Sequence, residues 1–332
     1  MTVVGGDWLR ARGAQMVMAM LEDAGFCAYA VGGCVRNALL GVAVADVDIS
    51  TNARPTTVIE LAQNAGLKAV PTGIDHGTVT VVAEGVGYEI TTFRADIETD
   101  GRRAVVKFAD DIAQDALRRD FTMNALYADR GGQVSDPLGG LSDLVNRRLR
   151  FIDDADRRIK EDYLRILRFF RFFAWYGDQT AGMDADALAA IAVNLDGLAQ
   201  LSRERVGAEI IKLLSAPDPV MAVAVMEQTG VLMQVLPGAV ARPLGPLVHF
   251  EQMLENHIGE TGDYTNAREK LMDELTFTLF NRLAAIKVME AAALFHPILT
   301  RLPEHGDRSF GHKAWLEMKP SMRDEELEGI RD

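Results

Sequence analysis

The stretch FCAYAVGGCVRNALLGVAVADVDIS, residues 26–50, decides the fold of the first part of the chain. Cys27–Val31 is a short, largely apolar run, which suits a buried strand. Gly32 and Gly33 break it, and VRNALLG reads as the first turns of a helix stopping near Gly41. VADVDIS, residues 44–50, then alternates Asp, Val, Asp and Ile as a strand does. Residues i and i+2 on a strand share a face, so Asp46 and Asp48 are expected to project together. Like charges side by side cost free energy unless a cation neutralises them. Such hard oxygen ligands suit Mg²⁺ bound with substrate phosphates. Gly32 and Gly33 would let the backbone approach a triphosphate, with the following helix N-terminus aimed at it. Arg36, one turn into that helix, is placed to add a charge-assisted contact. A lone Asp-x-Asp is more often a solvated strand edge; the order Gly-Gly, helix, Asp-x-Asp is the more specific signal.

Working outward, residues 7–24 read as an amphipathic helix with Leu9, Met16, Met20 and Leu21 on one side. Residues 51–66 read as a helix with Pro55 near its start. GTVTVVA (77–83) and GYEITTF (87–93) are strand-like and joined by a Gly-containing turn, a hairpin pattern. The pattern turns helical over 113–128, and from about Asp154 to the end it is almost wholly helical. An α+β chain is therefore expected, a mixed or antiparallel sheet with helices followed by an all-α part, with the boundary near residues 150–155. Of the 332 residues, 48% are hydrophobic and 25% charged, ordinary values for a globular protein with room for more than one domain. No apolar run is long enough for a membrane span. The start, MTVVGGDWLRARG, carries no export signal, and the two cysteines, Cys27 and Cys34, fit a reducing cytoplasm. The net charge of −13 argues mildly against a nucleic-acid partner. Yet arginines recur densely between Arg94 and Arg171 while the end of the chain is acid-rich, so basic faces can coexist with an acidic total.

Gly-Gly, helix, Asp-x-Asp resembles the nucleotide-binding signature of the polymerase-β-like nucleotidyltransferase superfamily. LRRDFTMNALYAD (117–129) resembles the second motif of class II CCA-adding enzymes and bacterial poly(A) polymerases, and KEDYLRILRFFRF (160–172) their nucleotide-selecting helix. The resemblance covers roughly residues 26–177, with PLGGLSDL and RRLRFI between the motifs. It implies a head over 1–150, a helical neck and body over 151–240, and a tail over 241–332 that looks atypical for the family. It implies template-independent addition of CCA to the 3′ end of tRNA from CTP and ATP, with Mg²⁺ on Asp46 and Asp48. It places Arg119 and Asp120 on the incoming nucleotide, Asp162 and Arg165 on the base edge, and Arg168 and Arg171 at further nucleotide contacts. Glu89, alternating with Tyr88 and Ile90, is the candidate third carboxylate, though a surface Glu on a strand reads equally well.

The base-reading role has a direct chemical rationale. Asp162 and Arg165, three apart on an expected helix, would share a face. A carboxylate accepts hydrogen bonds and a guanidinium donates them. Cytosine and adenine both offer an amino donor beside a ring-nitrogen acceptor, whereas uracil and guanine present the reverse. In isolation such a pair is more often an exposed ion pair. The Phe169, Phe170, Phe172 and Phe173 side chains read as core, Arg118 as structural, and Asp120 and Asn124 as capping or interior hydrogen-bonding groups. His76 is given no catalytic part.

Two departures stand out. Asn37 replaces the Asp that often follows the Gly-Gly-x-Val-Arg motif, and the resemblance fades after about residue 240. ELTFTLFNRLAAIKVMEA (274–291) weakly resembles a helical stretch in some large DNA adenine methyltransferases, without an Asn-Pro-Pro-Tyr-type motif. A divergent tail and a fused or rearranged gene end both fit. A poly(A) polymerase, a partial CC- or A-adding enzyme, and a non-catalytic RNA- or partner-binding chimera are the competing functions. FRADIETDGRRAVVKF (93–108) reads as a flexible element.

Overall fold

The computed structural model describes residues 2–96 and 106–249, together with 301–302 and 308–309. The chain divides into one compact unit of Met1–Arg158 with Thr180–Ala187, and another of Ile159–Gln179 with the chain from Leu188 on.

The first unit begins with α1 (Asp7–Arg10) and α2 (Arg12–Asp23) where one helix was expected. Ala11 between them is extended, and the Gln15 side chain donates to the Leu9 carbonyl that the break leaves over. There follow β1 (Tyr29–Val31), α3 (Gly33–Leu39), β2 (Asp48–Thr51), α4 (Pro55–Asn64), β3 (Lys68–Gly73), β4 (Thr78–Ala83) and β5 (Val86–Thr92). Glu84 and Gly85, both at positive φ, join β4 to β5 in the two-residue turn whose twist suits a hairpin. The strands β6 (Arg94–Asp96) and β7 (Val106–Phe108) pair antiparallel; residues 97–105 of the expected flexible element lie outside the described residues. The unit continues with α5 (Ile112–Leu117), β8 (Tyr127–Ala128), β9 (Val134–Ser135), α6 (Gly140–Val145) and α7 (Ala155–Glu161, shared with the second unit).

Seven strands form one sheet in the order β3-β4-β5-β2-β1-β8-β9. It is mixed: β2 and β5 run parallel and the other pairs antiparallel. Val79, Val81 and Ala83 of β4 alternate inward with Tyr88 and Ile90 of β5, all buried, and α2 and α4 pack against these strands.

The helix expected over 113–128 is a correction. It ends at Leu117, a 3₁₀ turn follows at Thr122–Asn124, and β8 begins at Tyr127. The Asp120 carboxylate accepts from the Phe121 backbone N–H and the Asn124 side chain, offering the backbone an alternative to the helical ladder. Residues 121–128 are buried without interruption, which suits a chain threading the core rather than an amphipathic surface helix.

The second unit is helical through its described residues up to 249, with α8 (Leu164–Tyr176), α9 (Ala185–Val193, shared with the first unit), α10 (Arg203–Leu214), α11 (Val220–Gln228) and α12 (Val231–Val235). Both α10 and α11 pack on α8, and the four phenylalanines of α8 are core as expected. Each contributes roughly 1.5–3 kcal/mol by leaving water. The expectation of helix to the chain end meets one departure: β10 (Arg301–Leu302) and β11 (Arg308–Ser309) pair antiparallel. Residues 250–300, which include 274–291, and 303–307 and 310–332 lie outside the described residues.

Candidate active site

Asp48 opens β2 and stands in parallel register with Glu89 of β5. Their neighbours Ile49 and Ile90 are likewise paired and are buried. By alternation the two carboxylates occupy the opposite face of the sheet from these isoleucines. Asp46 is exposed but precedes β2, so the strand does not extend back to it. The expected i, i+2 alternation thus applies only from Asp48 onward. Asp46 nevertheless remains electrostatically close. The Asp48 carboxyl is raised above its ordinary pKa by burial, then by the charge of Glu89, with Asp46 adding to the rise and Arg119 opposing it.

Arg119 is held from several sides. Its Nε and Nη2 donate to Asp115 Oδ2 at 3.3 and 3.0 Å, Nε also to Tyr127 Oη at 3.1 Å, and Nη2 also to Ser50 Oγ at 3.2 Å. The guanidinium lies 5.4 Å from the Tyr127 ring centroid. Burial would lower its pKa, but Tyr127 and Asp115 outweigh burial and raise it, so the group stays charged. Gly32 sits at φ +71°, and a Cβ there would stand 3.4 Å from Arg119 Nη1. This brings Gly32, Arg119 and Asp48 into one neighbourhood. Gly33 begins α3 beside them.

Arg36 and Asp120 are placed differently from the expectation. Arg36 is buried; it donates to the Asn37 side chain and to Asn124 Oδ1. Asn124 donates in turn to Asp120, which is also buried. This Arg36–Asn124–Asp120 chain ties α3 to the Thr122–Asn124 turn, and it includes Asn37, the residue that departs from the family pattern. Cys34 is buried, its thiol pushed up to about 11 by burial and then by the Asp48 charge, which makes it a poor nucleophile.

In the second unit Asp162 is not on a helix but in the break between α7 and α8. Its Oδ1 accepts from the Leu164 N–H at 3.1 Å and its Oδ2 from Arg205 Nη2 at 2.7 Å. Arg165 pairs with Glu161. Asp162 and Arg165 are adjacent through the Arg165 N–H bond to the Asp162 carbonyl. The expectation of a shared helix face is corrected: the helix begins only at Leu164. The Tyr163 ring occupies the space beside Gly197, where a Cβ would come within 2.0 Å of it. Arg168 and Arg171 both meet the buried Glu209 of α10 and lie over the Phe172 ring.

Sequence reasoning missed Asp115, Tyr127 and Ser50 around Arg119, and Arg205 and Glu209 around the second unit's charges. Two of these had a visible signal. Asp115 stands four residues before Arg119, a spacing that brings helical side chains together. Ser50 stands two after Asp48, on the same strand face. The partners supplied by α10 had none.

Among the described residues no three His, Cys, Asp or Glu side chains form a ready metal cage. The Asp48–Glu89 pair with Asp46 nearby still fits a hard divalent cation. Mg²⁺ is commonly held by one or two carboxylates while waters and substrate phosphates fill its other positions. No helix among the described residues is long and apolar enough to cross a membrane.

The chain is similar to known proteins over the residues that carry these motifs. The family described as "Poly A polymerase head domain" matches residues 28–150, and that described as "Probable RNA and SrmB- binding site of polymerase A" matches residues 182–242. The chain is 44% identical over 185 residues to the mitochondrial CCA tRNA nucleotidyltransferase 1 of Mus musculus, covering 55% of this chain and 43% of the relative. It is 41% identical over 224 residues to the CCA-adding enzyme of Geobacillus thermodenitrificans, covering 67% and 54%. The crystal structure of the Bacillus stearothermophilus CCA-adding enzyme in complex with CTP is similar with a TM-score of 0.63 and 35% identity, over 70% of this chain and 56% of that one. The chain thus spans about half the length of the curated relatives it matches. With its head motifs, mixed sheet and following helices all accounted for, the chain belongs to the family of class II CCA-adding enzymes and poly(A) polymerases.

Proposed function

We propose that this protein adds C, C and A to the 3′ end of tRNA from CTP and ATP, releasing pyrophosphate. The observation that supports it most is the placing of Asp48 and Glu89 side by side on neighbouring parallel strands, with Arg119 close to both Asp48 and Gly32. The names of the relatives point the same way. Residues 1–150 are assigned to nucleotidyl transfer and 151–240 to base selection and the RNA-binding body; the tail over 241–332, atypical for the family, is assigned no part. The assigned setting is the cytoplasm, in keeping with two free cysteines.

Asp46 and Asp48 are assigned to hold Mg²⁺, with Glu89 as a third carboxylate. Two such ions supply charge neutralisation at the attacking hydroxyl and at the departing pyrophosphate. The protein's own part is positioning. Gly32 and Gly33 leave the backbone open to the triphosphate. Arg119 carries a fixed positive charge to where negative charge grows at phosphorus. Arg36 and Asp120 are assigned to the nucleotide site through the buried chain that anchors α3. Asp162 accepts from the amino group of cytosine or adenine, and Arg165 donates to the neighbouring ring nitrogen. Arg168 and Arg171, braced by Glu209, keep positive charge on the same helix. A wrong base would leave buried polar groups unpaired, at about 1–3 kcal/mol each.

The test is incubation of the purified protein with Mg²⁺ and a tRNA transcript lacking CCA, supplied with CTP, ATP or both. Ordered addition of C, C and A, lost in Asp46→Ala and Asp48→Ala, is expected. Long A tracts would instead establish a poly(A) polymerase, and no product at all would overturn the reading.

A further inference from the structure

We infer that Asp115 is the positioning residue that aims the Arg119 guanidinium at the reacting triphosphate, with Tyr127 as its partner. Asp115 is 0% exposed, yet it carries a charge and receives five hydrogen bonds. Oδ2 accepts from Arg119 Nε and Nη2 and from Tyr127 Oη, the last at 2.9 Å. Oδ1 accepts from Arg118 Nε at 2.9 Å and from the Arg94 N–H at 3.3 Å. A buried carboxylate saturated in this way is rigid, and it passes that rigidity to its partners.

The consequence for Arg119 is directional. A guanidinium has five N–H donors in a fixed planar fork. Nε and both donors of Nη2 are taken up by Asp115, Tyr127 and Ser50. The plane of the fork is thereby set, and Nη1 is the nitrogen turned toward Gly32. Ser50 lies two residues beyond Asp48 on β2, so the same bonds fix Arg119 relative to the carboxylates. Asp115 touches neither carboxylate nor glycine in this arrangement; it acts through Arg119. An arginine without such bracing would sample many rotamers and would lose that freedom on meeting the substrate.

This inference rests on the proposed nucleotide-adding function, and the experiment separates the two. Steady-state addition to a tRNA transcript lacking CCA is measured at varied CTP for wild type, Asp115→Asn, Arg119→Ala, the double variant and Tyr127→Phe, each checked for its melting temperature. Asp115→Asn should lower kcat by about tenfold or more while KM for CTP moves less than about threefold, because the aimed charge acts mainly on the transition state. The double variant should be no worse than Arg119→Ala within about twofold, since residues that act as one unit are not additive. Tyr127→Phe removes one hydroxyl from a well-filled core and should show the same kcat-selective loss, a few-fold in size. It keeps the inference testable if Asp115→Asn fails to fold. Additive losses in the double variant, or a rise in KM with kcat intact, would overturn it. An inactive wild type would overturn the function instead; the same cycle read on CTP binding by titration would then decide the positioning role by its non-additivity.

Discussion

Two adjacent glycines, Gly139 and Gly140, are required for different physical reasons, and substitution separates them. Gly139 has φ +73° and nothing within 4 Å of a Cβ built on it, so its need is conformational. Gly140 opens α6, and a Cβ there would stand 2.1 Å from the Thr122 carbonyl oxygen and 2.6 Å from its carbon, where ordinary contact begins at 3.4 Å. The obstacle is backbone and cannot rotate aside, so α6 and the Thr122–Asn124 turn must part by more than an ångström. The Asp143–Thr122 hydrogen bond at 2.6 Å joins the same two segments and would be lost in the parting. Gly140→Ala should therefore destabilise by about 3 kcal/mol, the upper end of overpacking costs. Gly139→Asn should cost under about 1 kcal/mol, because Asn tolerates the left-handed region. For a unit of this size the melting temperature moves roughly 2–4 °C per kcal/mol. Gly140→Ala should melt roughly 6–12 °C below wild type and Gly139→Asn within about 4 °C of it, by circular dichroism or calorimetry. A Gly140→Ala melting point near wild type, or a larger drop for Gly139→Asn, would refute the close-approach argument.

Two further outcomes follow from the charges and thiols. Folding holds Asp48 above its ordinary pKa, so the associated stability is present at low pH and is lost as pH rises through the folded value. Asp48→Asn should thus melt higher than wild type at neutral pH without divalent cations. The gain should vanish below about pH 4, the ordinary carboxylate range, and Mg²⁺ should stabilise wild type alone. A less stable variant at neutral pH would contradict this account of burial and like charge. Of the two cysteines, the half-buried Cys27 should react with an alkylating reagent near neutral pH while Cys34 is protected until unfolding, since its thiol is pushed up to about 11. Equal labelling rates by mass spectrometry would refute the burial of Cys34.

The sequence by itself determined the local order of this protein. Gly32, the short apolar strand before it and the helix after it were legible because glycine punctuation and hydrophobic period act over a few residues. The β4–β5 hairpin and the phenylalanine core of α8 were legible for the same reason. What the tertiary structure decided was which distant segments meet. The parallel register that sets Asp48 beside Glu89 joins β2 to β5 across an intervening helix and hairpin. Arg119 takes its direction from Asp115, Tyr127 and Ser50 together, and Asp162 and Arg165 find separate charged partners instead of one helix face. The misread stretch 113–128 belongs here too: its helical pattern gives way where Asp120 and Asn124 bond to each other and the apolar run is buried on every side. Periodicity fixes which face a side chain takes, but partner and register are set by packing between segments far apart in sequence, where burial makes each unpaired polar group costly enough to choose one arrangement.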